Sequence, residues 1–279
     1  MKQYKNTISL NLNSRGVYCL DPSMGCASGM SASDGGCYED CYAAKTAKLY
    51  GYDFTKTVLR HFHNSAHVKE IVRRINSINS DFVRMGCSGD PSENWDHTCE
   101  ILRLIKHCNK EIVIITRHWT LLSDQQLEFI STLNLCINSS VSAIDGAETM
   151  QRCVGQFERL KPYCKSVLRI VSADFNIENE TGHRLAKVQA GLFSNAGTLD
   201  TVFRPSKKNK LITDGVIKTS HEFFNGKKTV ASKFNKKTYM GKCGTCQEIC
   251  GCRVTSSSHI KTRPGIIKQL TLLPHQPTI

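Results

Sequence analysis

The sequence predicts an α/β protein built on parallel strands, and three observations carry that expectation. Apolar runs of about five to seven residues recur along the chain, and each is separated from the next by a helical pattern. Continuous apolar runs, rather than alternating ones, mark strands covered on both faces. Five or six such βα units fit within about 200 residues, with no internal repeat and no low-complexity tract. Together these point to an open or closed α/β barrel, with a doubly wound sheet as its rival.

The elements follow in order. After an extended N-terminal stretch and a cysteine-bearing loop, residues 42–50 open a helix. Residues 65–77 (AHVKEIVRRINSI with its flanking serine) repeat apolar positions every three to four residues, which predicts a second helix. DFVRMGCSGD (81–90) predicts a strand that ends in a Ser-Gly-Asp-Pro turn. Residues 93–108 are an amphipathic helix with acids in the first turn. EIVIITR (111–117) is a buried strand, and Ser123 is an N-cap for SDQQLEFISTL. Strands at 134–142, 166–175 and 198–206 alternate with helices at 146–161 and 182–195.

Composition narrows the class. The chain has 279 residues, 40% of them hydrophobic, enough for one large domain or one domain with an appendage. No stretch approaches the roughly 18–20 consecutive apolar residues of a membrane span. MKQYKNTISLNL has no apolar core of the signal-peptide kind, so the expected location is the cytoplasm, or a host cytoplasm for a viral chain. The formal charge of +13, from 37 basic and 24 acidic residues, favours a polyanionic partner such as a nucleic acid or nucleotide. Residues 204–238 hold Arg204, Lys207, Lys208, Lys210, Lys218, Lys227, Lys228, Lys233, Lys236 and Lys237, interleaved with Phe223, Phe224 and Phe234. The expected organisation is therefore a barrel over 1–206, followed by a basic segment and a cysteine-rich extension over 207–279.

In α/β barrels function sits at the C-terminal ends of the strands. Those ends here read Ser88, Gly89, Asp90; Thr116, Arg117; Ser139, Ser140, Ser142; Ser172, Asp174; and Arg204. They are polar and mostly small, as a binding rim or an ordinary set of loops would be.

Fourteen cysteines are the other chemical signal. Cys87, Cys99, Cys108, Cys136, Cys153 and Cys164 lie singly in apolar segments and read as small buried hydrophobes. Cys26, Cys37 and Cys41 form C-x10-C-x3-C in a Gly/Ser-rich loop. A structural zinc site would need a fourth ligand, which Cys19 is placed to supply. A disulfide plus a free thiol is disfavoured in a cytoplasmic protein. A [4Fe–4S] cluster on three thiolates leaves one iron open to bind a substrate or cofactor directly. His61 and His63 read as ordinary polar positions beside a helix start. There is no P-loop, no GxGxxG and no Ser-His-Asp arrangement.

The motif DPSMGC (21–26), GGC (35–37) and CYA (41–43) resembles a phage and bacterial family of radical S-adenosylmethionine (SAM)-like proteins. RMGCSGDPSEN, EIVIITR, NSSVS and LRIVSADF fall where that family has its later strands, so the likeness covers roughly residues 5–205. The spacing is wider than in common radical SAM enzymes. The aromatic residues, Tyr38 and Tyr42, follow the second and third cysteines. The resemblance implies a partial (β/α)6 TIM-like barrel with a small C-terminal cysteine-rich appendage. It also implies a [4Fe–4S] cluster on Cys26, Cys37 and Cys41, with SAM on the open iron. Reductive cleavage of SAM to a 5′-deoxyadenosyl radical would then start hydrogen abstraction from a substrate, with a flavodoxin or ferredoxin as reductant. Ser88, Gly89 and Asp90 stand where the family holds the SAM amino group. Tyr42, Thr116, Arg117, Ser140, Ser142 and Arg169 are the further candidates for holding the cofactor.

KCGTCQEICGCR carries Cys243, Cys246, Cys250 and Cys252, four thiols within ten residues. That density is a strong metal signal, for structural zinc or for a second [4Fe–4S] cluster. With the basic segment beside it, the expected substrate is a nucleic acid or nucleotide, a modified phage DNA base being one concrete case. Two other functions fit the same residues. One is a zinc-binding nucleic-acid-binding protein without catalysis, and the other is an iron–sulfur enzyme that does not use SAM.

Overall fold

The computed structural model describes residues 5–13, 16–32, 37, 40–219 and 234, with the backbone of 223–224 and 227–228. Its first elements are short: β1 (Asn11–Leu12), β2 (Tyr18–Cys19), β3 (Ser23–Met24), α1 (Ala27–Ser31), α2 (Tyr42–Leu49) and β4 (Val58–Leu59). The regular part then runs α3 (Ser65–Ser77), β5 (Phe82–Met85), α4 (Trp95–Ile105), β6 (Glu111–Thr116), α5 (Asp124–Ile130) and β7 (Leu135–Val141). It continues with α6 (Ala147–Leu160), β8 (Lys165–Ser172), α7 (Glu180–Phe193), β9 (Thr198–Val202) and α8 (Lys210–Thr213). A two-stranded ribbon, β10 (Phe223–Phe224) with β11 (Lys227–Lys228), follows.

One seven-stranded sheet organises the molecule, in the order β1-β2-β5-β6-β7-β8-β9. The β1–β2 pair is antiparallel; every later pair is parallel. From β5 to β9 the strand order follows the chain without reversal, so the topological switch point of a doubly wound sheet does not arise. β1 and β9 are the sheet's edges.

The register separates two faces. Val83, Met85, Ile112, Ile114, Leu135 and Ile137 join one core cluster with residues of α3, α4 and α5. Val141, Leu168 and Ile170, on the same face by register, pack with Cys153 and Phe157 of α6 and Leu192 and Phe193 of α7. Helices α3 to α7 therefore cover one face, as right-handed crossovers running in one direction require. The opposite face carries Phe82, Val113, Cys136, Val167 and Leu199, with Arg84, Asn138, Ser140, Arg169 and Thr201 among them.

Several expected strands end earlier than the sequence suggested. β5 stops at Met85, because Gly86 takes φ +86° and the chain turns away from the sheet. The expected helix at 93–108 begins at Trp95, capped by the Asn94 side chain on His97 N–H, after a 3₁₀ turn over Pro91–Glu93. Ser123 caps α5 as expected, in a reciprocal capping box with Gln126. Beyond β9, residues 210–217 stay on the molecule: Leu211, Ile212, Val216 and Ile217 pack with Ala173, Phe175 and Leu185. Among the described residues no helix is long and apolar enough to cross a membrane.

Candidate functional site

The chain before β5 builds one wall of the site. Asp21, in the DPSMGC motif, is buried, and its carboxylate accepts the backbone N–H groups of Gly86 and Cys87 at 2.9 and 2.8 Å and of Ser88 at 3.0 Å. That single side chain shapes the turn after β5. Burial pushes its pKa up, against the backbone N–H groups and the nearby Arg60 and Arg84. The following residues run beside the turn: Gly25 pairs with Gly89, and Gly25 N–H donates to the Ser88 carbonyl at 2.9 Å. Both glycines are required. A Cβ on Gly89 would lie 2.7 Å from the Ser23 oxygen and 2.8 Å from the Gly25 oxygen, and one on Gly25 would overlap the Lys56 carbonyl. The first cysteine of the loop is thereby set directly after the contact with the Ser-Gly-Asp-Pro turn.

Cys26 is buried, and its thiol donates to Glu93 Oε1 at 3.3 Å. Glu93 also accepts from Ser28 N–H at 3.0 Å and from Thr57 Oγ1 at 2.8 Å, tying α1 and the strand-side loop to the turn. Burial, with the Asp90 and Glu93 carboxylates nearby, pushes the Cys26 pKa up. Cys37 donates a hydrogen bond to Cys41, and this raises the Cys37 pKa; burial adds to the rise. The same bond lowers Cys41 to about 6, helped by the N–H groups of Ala43 and Ala44 at the start of α2 and by Arg117. Cys41 is the N-cap residue of α2, where a thiolate meets the helix's unpaired N–H groups. Cys37 and Cys41 therefore pair with each other near the Arg117 guanidinium, and Cys41 packs against the cluster that holds Cys26, whose thiol is bonded to Glu93. Among the described residues no three His, Cys, Asp or Glu side chains stand in metal-coordinating geometry.

The loop is fixed at its far end as well. Asp40, immediately before Cys41, accepts from Ser206 N–H at 3.0 Å and Asn209 Nδ2 at 2.6 Å, and pairs with Lys45. Gly25 thus meets the turn after β5, and Asp40 meets the segment after β9.

The remaining expected residues divide by what they touch. The Asp90 carboxylate is buried and engaged by neighbouring groups of the scaffold. Its Oδ1 accepts from Ser92 N–H, Ser92 Oγ and Thr116 Oγ1 at 2.9, 2.8 and 2.6 Å, and its Oδ2 accepts Arg117 N–H at 2.8 Å. Thr116 is consumed in that network. Burial raises the Asp90 pKa despite these donors. Arg117 is buried, ion-paired with Asp145, and lies 5.5 Å over the Trp119 ring. Ser142 Oγ donates to the Val171 carbonyl at 2.7 Å, and Ser142 N–H donates to Asp145 at 2.7 Å, so it supports that ion pair. Ser140 and Arg169 are register partners on the helix-free face, with Arg169 Nη2 3.5 Å from Thr201 Oγ1. Tyr42 is the first residue of α2 and is 45% exposed. Ser139 meets His118 Nε2 at 2.8 Å on the helix side, and burial lowers His118 to about 3, so that imidazole is neutral.

Two cysteine expectations are corrected or lie elsewhere. Cys19 is not poised as a fourth ligand: it forms a disulfide with Cys87, with Cα atoms 6.6 Å apart. Cys87 is therefore not the inert lone hydrophobe its apolar setting suggested. Cys243, Cys246, Cys250 and Cys252 lie outside the described residues. Sequence reasoning missed Asp21, Glu93 and Asp145. Asp21 stood within the quoted motif, and Glu93 three residues after Asp90, yet nothing local marks a carboxylate that also reaches a partner more than 25 residues away. No family model and no curated protein matches the chain.

Proposed function

We propose that the protein is a radical SAM-type iron–sulfur enzyme whose reaction centre lies at the C-terminal ends of β5–β9. The observation that supports this best is the placement of Cys26 and its loop against the Ser88–Gly89 turn, with Cys37 and Cys41 converging beside Arg117. In this reading the barrel is a partial (β/α)6 one, which the sequential strand order and one-sided helices favour. Three thiolates from a single loop are a soft donor set suited to iron–sulfur or zinc. Cys26, Cys37 and Cys41 would hold a [4Fe–4S] cluster, and Ser88 and Gly89 would line the SAM amino group. When bound, the cluster and SAM supply a one-electron cleavage that yields a 5′-deoxyadenosyl radical for hydrogen abstraction.

The chain's own residues do the positioning. Asp21 and Asp90 hold the turn from both sides, so its backbone geometry is set before any ligand arrives. The N-terminal end of α2 and the Arg117 guanidinium stabilise negative charge on the thiols. Trp119 packs against the cluster that holds Cys26, with Cys41 beside it, and would limit water at the thiols. The basic balance of the chain makes a nucleic acid or nucleotide the proposed substrate and a small ferredoxin- or flavodoxin-type protein the proposed reductant.

A second reading has its own observation. Glu93 touches Cys26 and could complete a Cys₃Glu set around zinc, giving a nucleic-acid-binding protein without catalysis. Anaerobic purification separates the two. Brown protein with iron and sulfide, releasing 5′-deoxyadenosine with dithionite and SAM, supports the enzyme; a colourless zinc protein overturns it. An intact cluster that leaves SAM uncleaved points to an iron–sulfur enzyme of another kind. Cys41→Ala should remove iron, whereas Cys164→Ala, remote from the loop, should retain it.

A further inference from the structure

We propose that the exposed face of α2 and the adjoining 206–210 segment form a binding track for single-stranded nucleic acid, leading the strand past Cys41. This rests on the enzyme reading only for what happens at the cysteines; the track itself stands on separate observations. Asp40 joins the two segments, since it pairs with Lys45 and accepts from Ser206 N–H and Asn209 Nδ2. Lys45 of α2 is thereby tied to the segment that carries Lys207, Lys208 and Lys210, with Lys48 about a turn further along α2, and all five are exposed. No acid lies within 41–52 or 204–210. Of the acids nearest in sequence, Asp40 is buried and Asp53 is engaged with Thr55 and Lys56, while Glu39 precedes Asp40 and the exposed Asp214 follows α8.

α2 also exposes aromatic and apolar surface: Tyr42 at its start is 45% exposed, and Leu49 and Tyr50 at its end are 79% and 61% exposed. Large side chains left in water beside a lysine row match what unpaired bases require, a ring to stack on and cations along the backbone. A duplex keeps its bases stacked inside and gains nothing from Tyr50. An acidic peptide would use the lysines but not a stacking surface. Cys41 caps α2 and Tyr42 follows it directly, so a base stacked on Tyr42 lies next to Cys41, with Tyr50 at the other end of the helix.

The test is fluorescence anisotropy of a dye-labelled dT12 on the full chain across a salt series. Wild type should bind with an affinity that falls linearly in log–log form as salt rises. Lys207→Glu/Lys208→Glu should weaken binding at least tenfold and shallow the salt slope by about one to two. Tyr50→Ala should weaken it by roughly five- to one-hundred-fold. Lys69→Glu/Lys106→Glu, the same charge change on α3 and just after α4, should cost less than threefold. The proposal is overturned if the two charge pairs lose affinity equally, if Tyr50→Ala binds as wild type, or if duplex binds more tightly than dT12. It is also overturned if the α2-side variants keep dT12 and lose only phosphatidylserine vesicles. Binding needs neither iron nor SAM, so a colourless protein that passes sinks the enzyme reading alone. A SAM-cleaving protein that fails sinks the track alone.

Discussion

Asp40 receives the Asn209 side-chain amide at 2.6 Å across 169 residues of sequence, and this bond ties the cysteine loop to the end of the sheet. Burial alone would raise the Asp40 pKa, but the Lys45 ammonium, the Ser206 N–H and the Asn209 amide outweigh it and hold the carboxyl below its ordinary range. A group depressed in the folded state contributes stability that is present above its unfolded pKa of about 3.9 and lost as pH falls through the folded value. Thermal midpoints should therefore drop on acidification below about pH 4. Asn209→Ala should cost about 1–2 kcal/mol at neutral pH and shallow that acid limb. An acid limb identical to wild type in Asn209→Ala would show that the tie contributes nothing.

Asp90 carries the opposite sign. Burial raises its folded pKa, so its contribution is complete below the unfolded value and is lost as pH rises through the folded one. Asparagine does not relieve this simply, because four donors converge on two carboxylate oxygens and an amide offers one oxygen. Asp90→Asn should lose about 1–3 kcal/mol, measured by denaturant unfolding, and flatten the mildly acidic part of the stability profile. Equal stability of variant and wild type at pH 7 would mean that the turn is not held by this carboxylate.

The glycines separate close approach from mere flexibility. Gly89→Ala places a methyl 2.7 Å from a backbone oxygen that cannot rotate away, so β3 must part from the turn. Soluble yield and iron retention should both fall. Gly155, inside α6, has no atom within 4 Å of an added Cβ, and Gly155→Ala should stabilise by about 0.5–1 kcal/mol. Thermal denaturation of the two variants side by side checks the contrast, and a Gly89→Ala protein with wild-type midpoint and iron would remove the contact from the account.

The strand and helix alternation was readable because each βα unit writes its own period into the local sequence. The ends were not, since Gly86–Asp90 and Ala173–Phe175 look like strand continuations until Asp21 and Gln189 claim their backbone groups. The Cys26–Cys37–Cys41 loop was visible as spacing. What surrounds it was not: Glu93, Asp145 and Asp40 reach partners that only the tertiary fold brings near. The setting of Asp90 was not legible for a related reason, because a turn residue facing a ligand and one facing its own scaffold have the same sequence.

The Cys19–Cys87 bond gives the last prediction. It joins β2 to the turn after β5 over a separation of 68 residues, and both sulfurs are buried. Closing a loop of that length removes chain entropy from the unfolded state worth about 4 kcal/mol in the entropic account. The oxidised protein should therefore melt roughly 10 °C above the reduced one, on the scaling for domains of this size. A reducing cytosol would hold the pair as thiols, so the two forms should interconvert with the redox setting of the compartment. Alkylation before and after reduction, read by mass spectrometry, should label Cys19 and Cys87 only in the second case for air-exposed protein. Because these sulfurs pair with each other and not with the loop, Cys19→Ser/Cys87→Ser should lower the melting point yet leave the iron content of anaerobically purified protein unchanged. Loss of iron in that double variant would make Cys19 a ligand after all, close the fourth position, and remove the ground for an open iron.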